Sequence, residues 1–209
     1  MKSIVRRVGC LAVLISPLVL GSGCFVSGNP LSDPEQAKPD EQLYGVWKNA
    51  DDKGAGYSAM GRVDPRKSQG IPAGMMRFTN CRIDRKTSVV TGGTGLVFPT
   101  VIGKSSYLNC VILNPSAAEK LQADKWTWDK KDIRQYWIVK YQIEKDRLML
   151  YGRDNEAIDE AIRAGKIKGE GTGAGSRLTD TTDNLFRFFT LEGNSIYEST
   201  VKTTYTKVD

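Results

Sequence analysis

The chain is predicted to be mainly β and to fold as a small antiparallel barrel with two helices inserted before the last strand. From Leu43 onward, short apolar segments recur between turns of Gly, Lys and Ser, as in a meander. Residues 136–151 alternate apolar and polar side chains around one polar turn. Closure into a barrel would remove the exposed edges of such strands, so a barrel is the favoured architecture.

The strands are expected in a regular order along the chain. The first begins with Leu43, Gly45 and Trp47 on one face, and others follow at 75–83, 96–102 and 107–113. The clearest signal is a hairpin in which alternation runs through Trp137, Val139, Tyr141 and Ile143, breaks at 144–147, and resumes at Leu148 and Leu150. The last strand is expected over 196–205.

Two helices are predicted between the hairpin and the last strand. Asp154 or Asn155 can cap the first, which carries an apolar stripe from Ala157 to Ile162 and ends near Gly165. The second begins near Thr181 or Thr182, places Leu185, Phe186 and Phe189 on one side, and ends near Gly193. Such stripes usually cover one side or end of a sheet.

The first 23 residues are predicted to be an export signal. Lys2, Arg6 and Arg7 precede an apolar run over 11–20, and small residues follow it. The run is well short of the roughly 20 residues that a membrane-spanning helix needs.

Cys24 directly follows the small residues Gly21, Ser22 and Gly23. This segment resembles the lipobox of bacterial lipoprotein precursors, and the resemblance implies a diacylglyceryl group on Cys24 and cleavage before it. The alternative is an ordinary signal peptidase, for which Gly21-x-Gly23 also suffices and which would release a soluble protein. The lipobox implies a bacterial envelope protein anchored to membrane through covalent lipid. Phe25, rather than Asp, follows the cysteine, as in lipoproteins that are sorted to the outer membrane, so the resemblance implies that destination.

Residues 24–42 are predicted to be a flexible tether, and 43–209 the barrel domain. The tether contains Pro30, Pro34 and Pro39 among mostly polar residues. As a flexible coil it would span about 20 to 25 Å, enough to hold a domain clear of a membrane.

Cysteine counting predicts one disulfide. If Cys10 leaves with the signal and Cys24 carries lipid, Cys81 and Cys110 remain as a pair in an oxidising compartment. A bridge between them would close a loop worth roughly 3 to 4 kcal/mol. The alternative is two buried cysteines without a bridge.

Leu43-x-Gly45-x-Trp47 resembles the start of a lipocalin-like (calycin) barrel. The resemblance implies that the Trp47 indole lies across the barrel floor. In that family a late arginine packs on this tryptophan, but here no arginine follows Arg187. The alternative is an ordinary core tryptophan on a first strand.

Composition excludes several classes of function. Without Lys2, Arg6 and Arg7, 27 basic residues face 24 acidic ones, a charge of +3, and no basic block suggests a nucleic-acid partner. The chain has no histidine, which removes Ser-His-Asp and Cys-His catalysis and the commonest zinc ligand. The two remaining cysteines are too far apart for a Cys-x-x-Cys motif. No cofactor and no metal is expected.

Three further patterns have structural explanations that we favour over functional ones. The carboxylate pairs Asp51-Asp52 and Asp159-Glu160 would suit a glycosidase, but neighbouring carboxylates normally point apart. The alternating glycines of 169–175 could cradle an anion, yet no phosphate-binding motif follows them. Trp126 and Trp128 could stack on a sugar, but they are expected in the core.

The leading hypothesis is therefore a membrane-anchored lipoprotein with a non-catalytic barrel that binds a small apolar ligand. Its interior would be lined by Trp137, Tyr141, Leu148 and Leu150. The alternatives are a filled barrel that recognises or assembles with another envelope protein, and a carboxylate-based hydrolase.

Overall fold

The computed structural model describes residues 25–50, 56–64, 66, 70–84, 87 and 89–208. The predicted export signal and Cys24 lie outside these residues. Within them the strands are β1 (Phe25–Ser27), β2 (Gly45–Asn49), β3 (Gly56–Arg62), β4 (Met76–Ile83), β5 (Val90–Ile102), β6 (Ser105–Leu113), β7 (Ile133–Glu144), β8 (Arg147–Arg153), β9 (Gly169–Glu170), β10 (Arg177–Leu178) and β11 (Tyr197–Val208). The helices are α1 (Pro115–Gln122), α2 (Asn155–Arg163) and α3 (Thr182–Glu192).

Eight strands close into an antiparallel barrel, which confirms the predicted fold class. Their order is β6-β5-β4-β3-β2-β11-β8-β7, and pairing of β6 with β7 completes the ring. The predicted hairpin is β7 and β8, joined by a turn at Lys145 and Asp146 with Glu144 opposite Arg147. Because the barrel is closed, each of these strands has a paired neighbour on both edges along most of its length.

The sheet branches where β7 and β8 separate. β8 pairs with β7 only between Tyr141 and Glu144, and β1 uses the same edge of β7 further on, with Phe25 opposite Ile138. β10 then runs parallel to β1, and β9 pairs with β10. Three short strands therefore extend the barrel wall sideways.

The interior of the barrel is a continuous apolar cluster. It contains the buried residues Leu43, Trp47, Met60, Met76, Phe78, Val97, Leu108, Cys110, Val139, Tyr141, Leu148, Leu150 and Tyr205. Trp47 has no exposed surface, and its indole Nε1 donates to the Leu43 carbonyl oxygen at 2.8 Å.

A lysine packs on Trp47, in the place where the lipocalin-like pattern would have a late arginine. The Lys207 Nζ lies 5.4 Å from the centroid of the Trp47 ring, within cation–π range. Gly45, at φ 129°, makes room for it, because a Cβ there would lie 2.9 Å from the Lys207 Cε. The Lys207 side chain is flexible and could move aside, so it is the positive φ that requires a glycine two positions before the tryptophan.

Two further apolar clusters lie outside the barrel, on the outward face of β5, β6 and β7. One joins β1, α2 and α3 around Phe25, Ile138 and Phe189, and the other joins α1 and Trp126 to Phe98 and Tyr136. Because these strands are covered on both faces, every residue of β6 from Tyr107 to Leu113 is buried.

The two predicted helices are confirmed, and a third was missed. The Asp154 carboxylate accepts from the backbone N–H groups of Glu156 and Ala157 at the start of α2. The Thr181 hydroxyl caps α3, and Gly193 follows its last residue. α1 lies between β6 and β7 and is a short helix with an Asn114 cap and Pro115 at its first position. That Asn-Pro pair was the available sequence signal.

The segment predicted to be a flexible tether is packed on the barrel from Phe25 onward. β1 is part of the sheet, Leu31 is fully buried, and the Leu31 N–H donates to the Asn109 Oδ1 at 2.8 Å. Further on, the Tyr141 hydroxyl donates to Asp40 at 2.8 Å. The prolines indicated an irregular backbone, but Phe25 and Leu31 supply the apolar burial that orders it.

The predicted disulfide between Cys81 and Cys110 is absent, and the strand register explains why. Cys81 lies opposite Gly92 on β5, whereas Cys110 lies opposite Val97. Those β5 positions are an odd number of residues apart, so the two side chains are on opposite faces of the wall. With β5 between them the backbones are about 9 to 10 Å apart across the strands alone. A disulfide requires Cα atoms within about 7 Å.

Candidate functional site

The barrel interior is almost completely filled by its own side chains. Its cavity measures about 30 Å³ and is lined mainly by apolar residues, including Trp47, Phe78, Leu148 and Leu150. A volume of this size corresponds to about one water molecule. Ligand pockets for small molecules are normally about 300 to 1,000 Å³.

The four residues predicted to bind an apolar ligand lie in or against this cluster. Leu148 and Leu150 line the small cavity. Tyr141 is buried, with its pKa raised by burial and by the hydrogen bond to Asp40. Trp137 is half-buried and packs against the cluster without lining the cavity. These side chains therefore belong to the packed apolar cluster of the barrel or lie against it.

A polar cleft of about 540 Å³ opens at one end of the barrel, beside the turn between β5 and β6. Its lining comes from elements that are distant in sequence: Asp40, Gln42, Lys104, Ser105, Ser106, Lys140, Tyr141, Gln142, Ile143, Tyr151, Asn194, Glu198 and Ser199. This cleft was not predicted, because no short sequence motif contains its residues.

Lys140 is the chemically distinctive group of this cleft. Its Nζ donates to the Asn194 Oδ1 at 2.9 Å and lies 5.2 Å from the Tyr151 ring centroid and 6.0 Å from that of Tyr197. Burial lowers the pKa of this lysine. Among the residues that the structure describes, no carboxylate forms an ion pair with it. Aromatic faces and one amide therefore hold a partly desolvated positive charge.

A second and broader cleft of about 730 Å³ lies between residues 28–36 and the start of α3. Its lysine, Lys130, is exposed and pairs with Glu35 at 3.5 Å. Because its positive charge is already paired and solvated, this cleft has no group comparable to Lys140.

The other candidate groups are used within the fold. Asp159 accepts from the Ser176 hydroxyl and, at 2.7 Å, from the Gly173 N–H, and these bonds lower its pKa. The glycine loop thus binds a carboxylate of its own chain. Trp126 is buried and donates to Asp132 at 2.8 Å, in edge contact with Trp128. Asp51 and Asp52 lie outside the described residues.

No family model matches the chain, and no curated protein or solved structure matches it either. In the described ranges no three His, Cys, Asp or Glu side chains are grouped to hold a metal ion. None of the helices in these ranges has the length and apolar character to cross a membrane.

Proposed function

We propose that the protein is a lipid-anchored protein of the bacterial envelope whose filled barrel serves as a rigid scaffold for surface recognition. The observation that carries this proposal is the cavity of about 30 Å³ inside the barrel. An apolar ligand inside the barrel would have to displace tightly packed side chains, which costs free energy that recognition at the outer surface does not.

The anchor is proposed from the sequence. Gly21 to Gly23 and Cys24 form the lipobox-like segment, and acylation of Cys24 would leave Cys81 and Cys110 as the cysteines of the folded part. Two or more acyl chains on one residue hold a protein stably on a bilayer, whereas a single chain binds it only marginally. The outer membrane is the proposed location, and another envelope component is the proposed partner.

The anchor is tested by intact mass spectrometry of the protein produced in a bacterial host, with vesicle flotation as the second measurement. We expect a mature chain that starts at Cys24, carries the mass of acyl chains and floats with vesicles. The control variant Cys24→Ser should lack the lipid mass and stay with the soluble fraction. An unmodified amino terminus in the wild-type protein would refute the anchor.

The filled barrel is tested separately with a fluorescent fatty acid. We expect no saturable binding to the wild-type protein. Saturable binding that Leu150→Ala or Leu148→Ala changes would place the ligand inside the barrel and overturn the scaffold proposal.

A further inference from the structure

The polar cleft defined above lies next to Phe25, the first residue that the structure describes. Phe25 is opposite Ile138 on β7, and Lys140 is two residues further along that strand. The Tyr197 ring links the two, with its centroid 5.0 Å from that of Phe25 and 6.0 Å from the Lys140 Nζ. The cleft and the first residues of the domain are therefore neighbours.

Phe25 and the rest of β1 are packed firmly against the barrel. Phe25 is 1% exposed, β1 is paired on both edges, and the Gly28 N–H donates to the Leu178 carbonyl at 2.9 Å. Cys24 is one peptide unit before Phe25, and consecutive Cα atoms are about 3.8 Å apart. If Cys24 is acylated as proposed, the surface around Phe25 stays close to the bilayer, and the cleft stays with it.

The cleft is lined by charged side chains of both signs. Its cations are Lys140, with which no described carboxylate forms an ion pair, and the exposed Lys104 of the β5–β6 turn. Its acidic groups are Asp40 and Glu198, and no described cation forms an ion pair with Glu198. Serine hydroxyls and the Asn194 amide also line the cleft, and the Asn194 Oδ1 accepts from both the Ser105 hydroxyl and the Lys140 Nζ. A partly desolvated ammonium group gains most from an anion that can reach it.

We propose that this cleft binds the phosphate-bearing zwitterionic head group of a membrane phospholipid, with the phosphate at Lys140 and the ammonium group toward Glu198 and Asp40. The identification of a lipid as the source rests on the proposed anchor, whereas the chemistry of the cleft does not. The function of the cleft is to orient the barrel on the bilayer that carries it.

The test uses residues 24–209 with Cys24→Ser, which contain the whole described fold and carry no lipid. Calorimetric titration compares four ligands: dihexanoyl phosphatidylethanolamine below its micelle concentration, glycerol 3-phosphate, inorganic phosphate, and hexyl glucoside as a neutral amphiphile. We expect saturable binding of the phospholipid, weaker binding of the two phosphates, and none of the glucoside.

Variants then locate the site. Lys140→Gln should weaken phospholipid binding at least about tenfold, the usual effect of removing a charged hydrogen-bond donor. Lys140→Arg should restore part of the affinity. Lys48→Gln is the matched control, because Lys48 is exposed on β2 outside the cleft, and it should bind as the parent does. Thermal unfolding of each variant checks that the fold is retained.

Two kinds of result would refute the proposal. Equal affinity of Lys140→Gln and Lys48→Gln for the phospholipid, or no binding of any ligand, would refute the cleft as the binding site. Inorganic phosphate that binds as tightly as the phospholipid would overturn the lipid as its source. Because the protein in this test is unacylated, none of these results depends on the anchor, which the mass measurement tests alone.

Discussion

The two sides of the barrel wall differ in what covers their outward face. On β5, β6 and β7 that face is buried under α1, α3 and the amino-terminal segment, in two apolar clusters. On β2, β3 and β11 it is bare, and Val46, Lys48, Ala59, Thr206 and Val208 are exposed there. We call these the covered wall and the bare wall.

One barrel therefore contains two kinds of strand. Strands of the bare wall bury only their inward residues, so β2 has Trp47 buried between exposed neighbours. On the covered wall both faces carry buried side chains, most completely on β6, where every residue from Tyr107 to Leu113 is buried. Substitutions on the covered wall should therefore lower the free energy of unfolding more than substitutions on the bare wall, because side chains on both faces of its strands are buried.

The largest expected effect is Phe98→Ala. Phe98 lies on the outward face of β5, is fully buried, and contacts the Tyr136 ring edge-on at 6.3 Å between centroids. Its truncation should lower the free energy of unfolding by about 3 to 5 kcal/mol, measured by denaturant titration. Val46→Ala on the bare wall is the control, with an expected change within about 0.5 kcal/mol. Equal losses would abolish the distinction between the walls.

A smaller effect is expected for Asn109→Ala, which tests how the amino-terminal segment is attached. Asn109 is fully buried on the covered wall, accepts from the Leu31 N–H at 2.8 Å, and donates to the Thr100 hydroxyl at 2.8 Å. Losing these bonds leaves buried polar groups unsatisfied, so we expect a loss of about 2 to 3 kcal/mol.

Hydrogen exchange shows whether that loss is local. The Leu31 amide should exchange faster in Asn109→Ala than in the wild type. Thr206→Ala, on the bare wall, should leave its rate unchanged. An unaltered Leu31 rate in Asn109→Ala would mean that the segment does not depend on this contact.

The smallest effect concerns pH and the covered wall near α1. Hydrogen bonds from Trp126 and Asn114 lower the pKa of Asp132 below its unfolded value of about 3.9. The ionised carboxylate therefore stabilises the fold above the unfolded pKa, and this contribution is lost as the pH falls through the folded pKa.

Asp132→Asn should accordingly be less stable than the wild type at neutral pH and approach it in strong acid. Denaturant titrations between about pH 6 and about pH 3 measure the difference. A difference that stays constant over this range would show that the ionised carboxylate is not what the two donors stabilise.

The fold class and most of the regular elements follow from local patterns in the amino-acid sequence. Strict alternation defined the β7–β8 hairpin, and caps at Asp154 and Thr181 defined α2 and α3, because these signals act between residues close in the chain. β3, with its small and polar residues, and the short helix α1 gave weaker local signals and were missed. The continuous apolar run of β6 indicated a strand, but not what covers its second face.

How distant segments of the chain meet is visible only in the folded structure. The prolines of 25–42 made that segment resemble a tether, yet β7 and Asn109 supply the partners that order it. Counting cysteines could not place Cys81 and Cys110 on opposite faces, because face depends on register. The cleft around Lys140 joins residues up to 159 positions apart, from Asp40 to Ser199. Contacts of this kind depend on strand order and closure, which no local pattern in the chain encodes.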